Sequence, residues 1–234
     1  AFFEALAQSK RPLIYAGGGT IASGASHELR AFVADYGLPV TTTLMGLGAY
    51  DTTQPLALHM LGMHGTAYAN YAVEDCDFLF TLGARFDDRV AGVPDKFAPQ
   101  AKFIAQIDID PAEIGKVKSV DWHHTGDLTR TLAQLRAWGE RHGWREQLSA
   151  RYAPWHRHVA ELKQVHALDY VVKPFGRPRF AAAVARAVAR LRAEEALSLR
   201  HVLESLAAVR RAEGHPGTLE PAAERPDRLA VRTG

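Results

Sequence analysis

Four short apolar runs of strand length divide the first half of the chain, and each ends in glycine or aspartate. Residues 13–16 run into Gly17, Gly18 and Gly19, residues 40–44 are closed by Gly46, and two further runs cover 77–83 and 102–110. Between them the apolar period switches to that of a helix. Leu29, Phe32 and Val33 share a face over 26–36, Gly37 offers a helix C-cap, and Pro39 blocks continuation. A second helix is predicted near 66–73. Pro111 starts a short helix at its first position, and Asp127 caps one that carries Leu128, Leu132 and Leu135. Nearly continuous apolar strands separated by helices predict a parallel sheet covered on both faces, an α/β doubly wound fold. In such sheets ligands bind outside the carboxyl ends of the strands.

The composition, 47% hydrophobic and 23% charged over 234 residues, fits one folded domain plus a short second piece. No apolar run approaches the roughly 20 residues needed to span a bilayer. The opening AFFEALAQSKRP has no signal-peptide pattern, and without an initiator Met it is expected to be preceded by further chain. A single cysteine, Cys76, excludes an internal disulfide and a thiolate metal cluster, which suits a reducing, cytoplasmic setting. The net charge of +2 is uneven. Residues 1–163 carry 16 basic and 18 acidic side chains, and residues 164–234 carry 12 and 8. So small a basic excess gives no reason to expect a nucleic-acid partner.

That shift places a boundary near Lys163, dividing the chain into 1–163, 164–212 and 213–234. Residues 165–173 read as a strand closed by Pro174, Phe175 and Gly176. Two amphipathic helices follow, one lined by Phe180, Val184, Val188 and Leu191, the other by Leu199, Val202, Leu203, Leu206 and Val209. Beyond Glu213 there is little to bury, and a disordered tail is predicted.

Candidate site residues cluster at the strand ends. Gly17, Gly18 and Gly19 are either a plain tight turn or a close approach for a phosphate. Thr43, Leu44 and the following glycines are either a loop or part of the same edge. Leu61, Gly62, Met63, His64 and Gly65 put a thioether and an imidazole between glycines, which suits packing against a flat ring, although a lone His is more often a cap or a surface residue. Arg85, Asp87, Asp88 and Arg89 form either a solvated set of internally paired charges or a diphosphate clamp. Acid–base use of the Asp87/Asp88 pair is disfavoured because adjacent side chains diverge. Asp108 and Asp110 could read ribose hydroxyls. His123, His124, His156 and His158 lack companions at metal-ligand spacing and read as surface residues, so no metal site is expected.

In order and spacing, the segments RPLIYAGGG, GLPVTTTLMGLGAYD, LHMLGMHGTAYANYAVEDCDFLFTLGARFDDRVAG, FAPQAKFIAQIDIDPAEIGK and HTGD resemble the central domain of the acetolactate synthase (acetohydroxyacid synthase) large subunit. The resemblance implies a three-domain subunit whose central domain binds FAD and whose outer domains bind thiamine diphosphate and Mg2+. It implies a transferase that joins a pyruvate-derived hydroxyethyl group to a second 2-oxoacid in branched-chain amino-acid biosynthesis, with no net redox work for the flavin. It also implies a homodimer or larger assembly with a small regulatory subunit, while the charge balance and the apolar runs give no reason to expect nucleic acid or membrane as partner. The flavin contacts carried over are Gly17, Gly18, Gly19, Thr43, Leu44, Leu61, Gly62, Met63, His64, Gly83, Arg85, Asp87, Val90, Asp108, Ile109, Asp127 and Leu128. Met63, His64, Asp88 and Arg89 would also face the substrate channel. The family's activating Glu and its Gly-Asp-Gly…Asn metal motif belong to the outer domains and have no counterpart here, so the chain alone is expected to be inactive, with no catalytic residue of its own.

Residues 164–192, with Lys173 before Pro174, resemble the end of a response-regulator receiver domain of the LytTR-associated type, which implies a chimaera joined near Lys163; the plain alternative is an amphipathic linker. Two other readings follow from the same residues: a signalling protein with a nucleotide-sensing first domain, and a different thiamine-dependent decarboxylase or carboligase.

Overall fold

A computed structural model describes residues 1–148 and 150–166, without the side chains of Asp88, Arg89, Val165 and His166. The first compact unit is Ala1–Leu168. It begins with α1 (Phe2–Gln8), β1 (Pro12–Ala16), α2 (Gly18–Ala22), α3 (Ser26–Tyr36), β2 (Val40–Thr42) and β3 (Ala57–Met60). There follow α4 (Ala67–Asp75), β4 (Phe78–Leu82), α5 (Asp88–Ala91), β5 (Phe103–Asp108), β6 (Trp122–Thr125), α6 (Leu128–Arg141), α7 (Trp144–Leu148) and α8 (Ala153–His166). The six strands form one sheet in the order β3-β2-β1-β4-β5-β6, and every pairing is parallel. The doubly wound reading therefore holds. Chain direction across the sheet reverses between β1 and β4, which lie side by side with Ala16 opposite Leu82.

Every residue of β1 and β4 is buried, as their unbroken apolar runs require. The helices pack in two sets. One joins α1, α2, α3, α6 and α7, and the other pairs α4 with α8. Phe2 lies edge-on to Phe78 and Phe80, while Phe3 stacks on Trp138 and Trp144. Burying side chains of this size contributes about 1.5–3 kcal/mol each. Gly139 lets α6 close on this cluster, because a Cβ there would lie 2.0 Å from the Tyr36 hydroxyl.

Gly37 ends α3 in the left-handed conformation, φ 69°, as its position predicts. Several expectations need correction. Gly18 and Gly19 belong to the first turn of α2, not to an open turn. The second strand stops at Thr42, where Thr43 caps the 3₁₀ turn Leu44–Gly46 by accepting the Gly46 amide at 2.9 Å. Two strands lie in segments where none was expected. β3 is four residues long with a register shift and His59 at φ 62°, and β6 is an edge strand of mostly exposed residues. Neither has a period that a sequence could display. Val165 and His166 continue α8 instead of opening a strand. The remainder of the receiver-like segment assigned to 164–212, and the tail 213–234, lie outside the described residues.

Candidate functional site

A single line of backbone hydrogen bonds ties together the carboxyl ends of all six strands. Leu61 N–H donates to Thr42 O (3.2 Å), Thr43 N–H to Ala16 O (2.9 Å), Gly17 N–H to Leu82 O (2.9 Å), Gly83 N–H to Ile107 O (2.9 Å) and Gly126 N–H to Asp108 O (2.9 Å). The side chains that follow each strand are therefore held along one edge of the sheet.

At the reversal point the two backbones touch. A Cβ on Gly17 would lie 2.2 Å from Gly83 O, one on Gly19 2.8 Å from Gly83 Cα, and one on Gly46 2.4 Å from Ala16 O. Gly83 itself sits at φ +52°, where side chains are strained. Glycine is required here by backbone contact first. Two of the three amides in the run are also spent internally, Gly17 on Leu82 O and Gly19 on Gly83 O at 3.0 Å. Among the described residues, the Gly18 N–H at the start of α2 has no hydrogen-bond partner.

After β2 and β3 the edge becomes apolar and exposed. Leu44 is 65% exposed, Met45 75% and Met63 81%. Leu61 is buried, and His64 is exposed next to Met63 in the chain. The segment 60–66 is closed on itself by Thr66 N–H to Met60 O (2.8 Å) and Gly65 N–H to Gly62 O (2.9 Å), with the Thr66 hydroxyl on Leu58 O (2.9 Å).

After β4, Phe86 is buried against Tyr15 and Phe97, which turns Arg85 and Asp87 outward while Val90 stays half-buried. Arg85 makes no ion pair with Asp87 or any other described side chain. Asp87 is the N-cap of α5 without a side-chain capping bond. Asp88 and Arg89 begin α5, and their side chains lie outside the described residues. Burial, and behind it the Asp87 carboxylate, pushes the Tyr15 phenol well above its ordinary value. Tyr15 is thus a neutral core residue with its hydroxyl near Arg85 O at 3.4 Å.

After β5, the Asp108 carboxylate is buried and accepts the Asp110 amide at 3.0 Å, while Asp110 caps the next 3₁₀ turn through Ala112 N–H (2.9 Å). The expected acidic pair is therefore engaged with its own loop, and Ile109 between them is 71% exposed. Asp127 caps α6 through Arg130 N–H (2.9 Å), and the Leu128 side chain is buried beneath Gly83. Both serve the scaffold through their side chains.

The clefts lined by Lys10, Arg11, Asp75, Pro154, Trp155 and His158, and by Lys102, Ile104, Lys118 and Asp121 among others, lie toward the amino ends of the strands, away from this edge. His123 and His124 are exposed on β6 as expected. His156 and His158 are not plain surface residues: both are half-buried, His156 bonded to Gly37 O and His158 to Asp75 at 3.0 Å. Burial pushes the Cys76 thiol up to about 12, so it is no nucleophile. Sequence reasoning missed Met45 and Asn70. Met45 shows no signal beyond lying among the strand-end residues, and Asn70 shows none, being an ordinary polar residue in a helix.

An all-parallel sheet whose strand order reverses between β1 and β4 is an open α/β frame, in which ligands sit at the carboxyl edge. The chain belongs to the thiamine pyrophosphate enzyme family, central domain, whose family model matches residues 1–135. Among characterised proteins it is similar to acetolactate synthases. It is 53% identical over 135 residues to the acetolactate synthase large subunit of Parasynechococcus marenigrum (strain WH8102), covering 58% of this chain and 22% of that protein. The large subunit of Cyanidium caldarium is 56% identical over 134 residues, 57% of this chain and 23% of the relative. Acetolactate synthase 1, chloroplastic, of Oryza sativa subsp. japonica is 48% identical over 169 residues, 72% of this chain and 25% of the relative. The chain thus spans about a quarter of the length of the curated relatives it matches. No helix among the described residues is long and apolar enough to cross a membrane.

Proposed function

We propose that this chain is the flavin-binding part of an acetolactate synthase catalytic subunit, acting with thiamine diphosphate and Mg2+ held elsewhere in the complete enzyme. The observation that carries the reading is the closed contact of Gly17 and Gly19 on Gly83 at the sheet's reversal point. It lies within the region that is similar to acetolactate synthases.

The residues present fit FAD. The Gly18 N–H is unspent, and Arg85 is a guanidinium without an ion-pair partner among the described residues, as a diphosphate requires. Leu44, Met45, Met63 and Ile109 offer apolar, partly polarizable surface to a flat ring. Thr43, Leu61, Gly62, His64, Asp87, Val90, Asp108, Asp127 and Leu128 would hold the cofactor through backbone groups or by fixing these loops. By the resemblance, the bound flavin supplies an ordered planar element and no net electron transfer. Met63 and His64, with Asp88 and Arg89, would border the channel through which 2-oxoacids reach the thiamine.

We assign no catalytic proton transfer to this chain, which offers no counterpart of the activating Glu. The complete enzyme would act on pyruvate and a second 2-oxoacid in the cytoplasm, as a homodimer or larger assembly with a regulatory subunit.

Titration of the purified chain with FAD tests the reading, using quenching of flavin fluorescence. Saturable binding of one FAD per chain is expected, with no acetolactate formed from pyruvate when thiamine diphosphate and Mg2+ are added. Absence of binding, or pyruvate turnover by the chain alone, would overturn it.

A further inference from the structure

The segment that carries Met63 and His64 is held by a side chain that neither its own loop nor the strand ends supply. Asn70 lies on α4, and its carboxamide brackets one residue of the segment from both sides. Gly62 N–H donates to Asn70 Oδ1 at 2.8 Å, and Asn70 Nδ2 donates to Gly62 O at 3.1 Å. Gly62 itself sits at φ 97°, a conformation side chains rarely adopt. The same carbonyl also accepts the Gly65 amide at 2.9 Å, so this peptide is a junction for the loop. The loop leaves a strand whose last residues include His59 at φ 62°, and among the described residues no strand pairs with β3 on its outer side. Sheet pairing therefore gives it little support. Without the Asn70 bracket, the segment would keep its own Gly65–Gly62 turn and its two ends, Leu61 on Thr42 O and Thr66 on Met60 O, but Gly62 would lose its tie to α4.

We propose that Asn70 is a positioning residue: its two-way hydrogen bond to the Gly62 peptide presets the loop that presents Met63 and His64 at the cofactor edge. This rests on the flavin reading above for what the loop contacts, but not for how the loop is held. The carboxamide is suited to the task because one group supplies both an acceptor and a donor at matched spacing. A preset loop loses less conformational entropy when a ligand arrives.

The test uses the whole 234-residue chain. Amide hydrogen exchange resolved by residue is compared for wild type, Asn70→Ala and Asn70→Asp, and each is then titrated with FAD. In Asn70→Ala, exchange at Gly62 and Gly65 should quicken by about tenfold or more while the amides of β1 and β4 are unchanged, and FAD should bind about tenfold more weakly. Asn70→Asp keeps the shape but faces a carboxylate toward the Gly62 carbonyl. Its FAD affinity should be low at neutral pH and should recover toward wild type as the pH is lowered and the carboxyl regains a donor, a profile that neither wild type nor Asn70→Ala should show. Unchanged exchange at Gly62 in Asn70→Ala would overturn the proposal, as would equal FAD affinity in a wild type and an alanine variant that both bind. If Asn70→Ala does not fold, the pH profile of Asn70→Asp decides. If wild type binds no FAD, the flavin reading fails, and the exchange data alone judge Asn70.

Discussion

The two ends of the sheet are built differently. At the amino end, side chains close the structure on itself. Buried Trp155 donates to Pro12 O at 2.9 Å, Tyr152 to Leu6 O at 2.7 Å, and Lys163 to Pro55 O at 2.7 Å. The Asp77 carboxylate accepts from the Ser9 hydroxyl and from the amides of Lys10 and Arg11. At the carboxyl end the strands are joined chiefly by backbone bonds, with the Thr41 hydroxyl on His59 O (2.9 Å) and the Thr20 hydroxyl on Leu82 O (3.2 Å) beside them, while Leu44, Met45, Met63, Arg85 and Ile109 are exposed. The amino end uses its side chains for closure, whereas the carboxyl end leaves this set exposed beside others that hold its own turns. That division is what a ligand site on a parallel sheet needs: a rigid backbone line with side chains left over.

Truncations should break this contrast in opposite ways. Trp155→Ala removes a buried indole and its hydrogen bond, and should cost about 3–5 kcal/mol in denaturant unfolding while leaving the FAD affinity of the folded fraction unchanged. Gly17→Ala drives a methyl into Gly83 O and should cost about 1–3 kcal/mol, with FAD binding lost as well, because the contact lies where both demands meet. Arg85→Ala should alter stability by less than about 0.5 kcal/mol, since the side chain is exposed and has no ion pair among the described residues, yet weaken FAD by about tenfold or more.

The smallest effect concerns pH. Burial, followed by the Lys163 ammonium, holds the His59 imidazole below its ordinary 6.5. As the pH falls below that value the unfolded chain takes up a proton that the folded chain resists, so the contribution is complete at neutral pH and is lost on acidification. Thermal unfolding at pH 7.5 and 5.5 should therefore show a smaller acid-induced drop in His59→Asn than in wild type, Asn being tolerant of the backbone conformation there.

The elements legible in the sequence were those with period or punctuation. α3 announces itself by Leu29, Phe32 and Val33 and by Gly37, and β1 and β4 by apolar runs that only a doubly covered strand would carry. β3 was not legible because it is four residues long with a register shift, and β6 because an edge strand of mostly exposed residues needs no alternation. The site was legible as a set of strand ends but not in its division of labour. Nothing in three consecutive glycines says that two of their amides bond to β4, and nothing in Asp108-Ile109-Asp110 says that the acids serve their own turn. Those facts depend on residues more than sixty positions away, or on the path of the loop itself. Met45 and Asn70 escaped for the same reason, since exposure and a bracketing bond are properties of the fold.

The most direct test of the account is residue-resolved hydrogen exchange of the chain with and without saturating FAD. Added protection is expected at the carboxyl edge, in 17–20, 43–46, 61–65 and 83–87, with the amides around Pro12, Asp77 and Trp155 unchanged. Protection confined to the amino end, or none at any position, would contradict the claim that the carboxyl edge is the cofactor site.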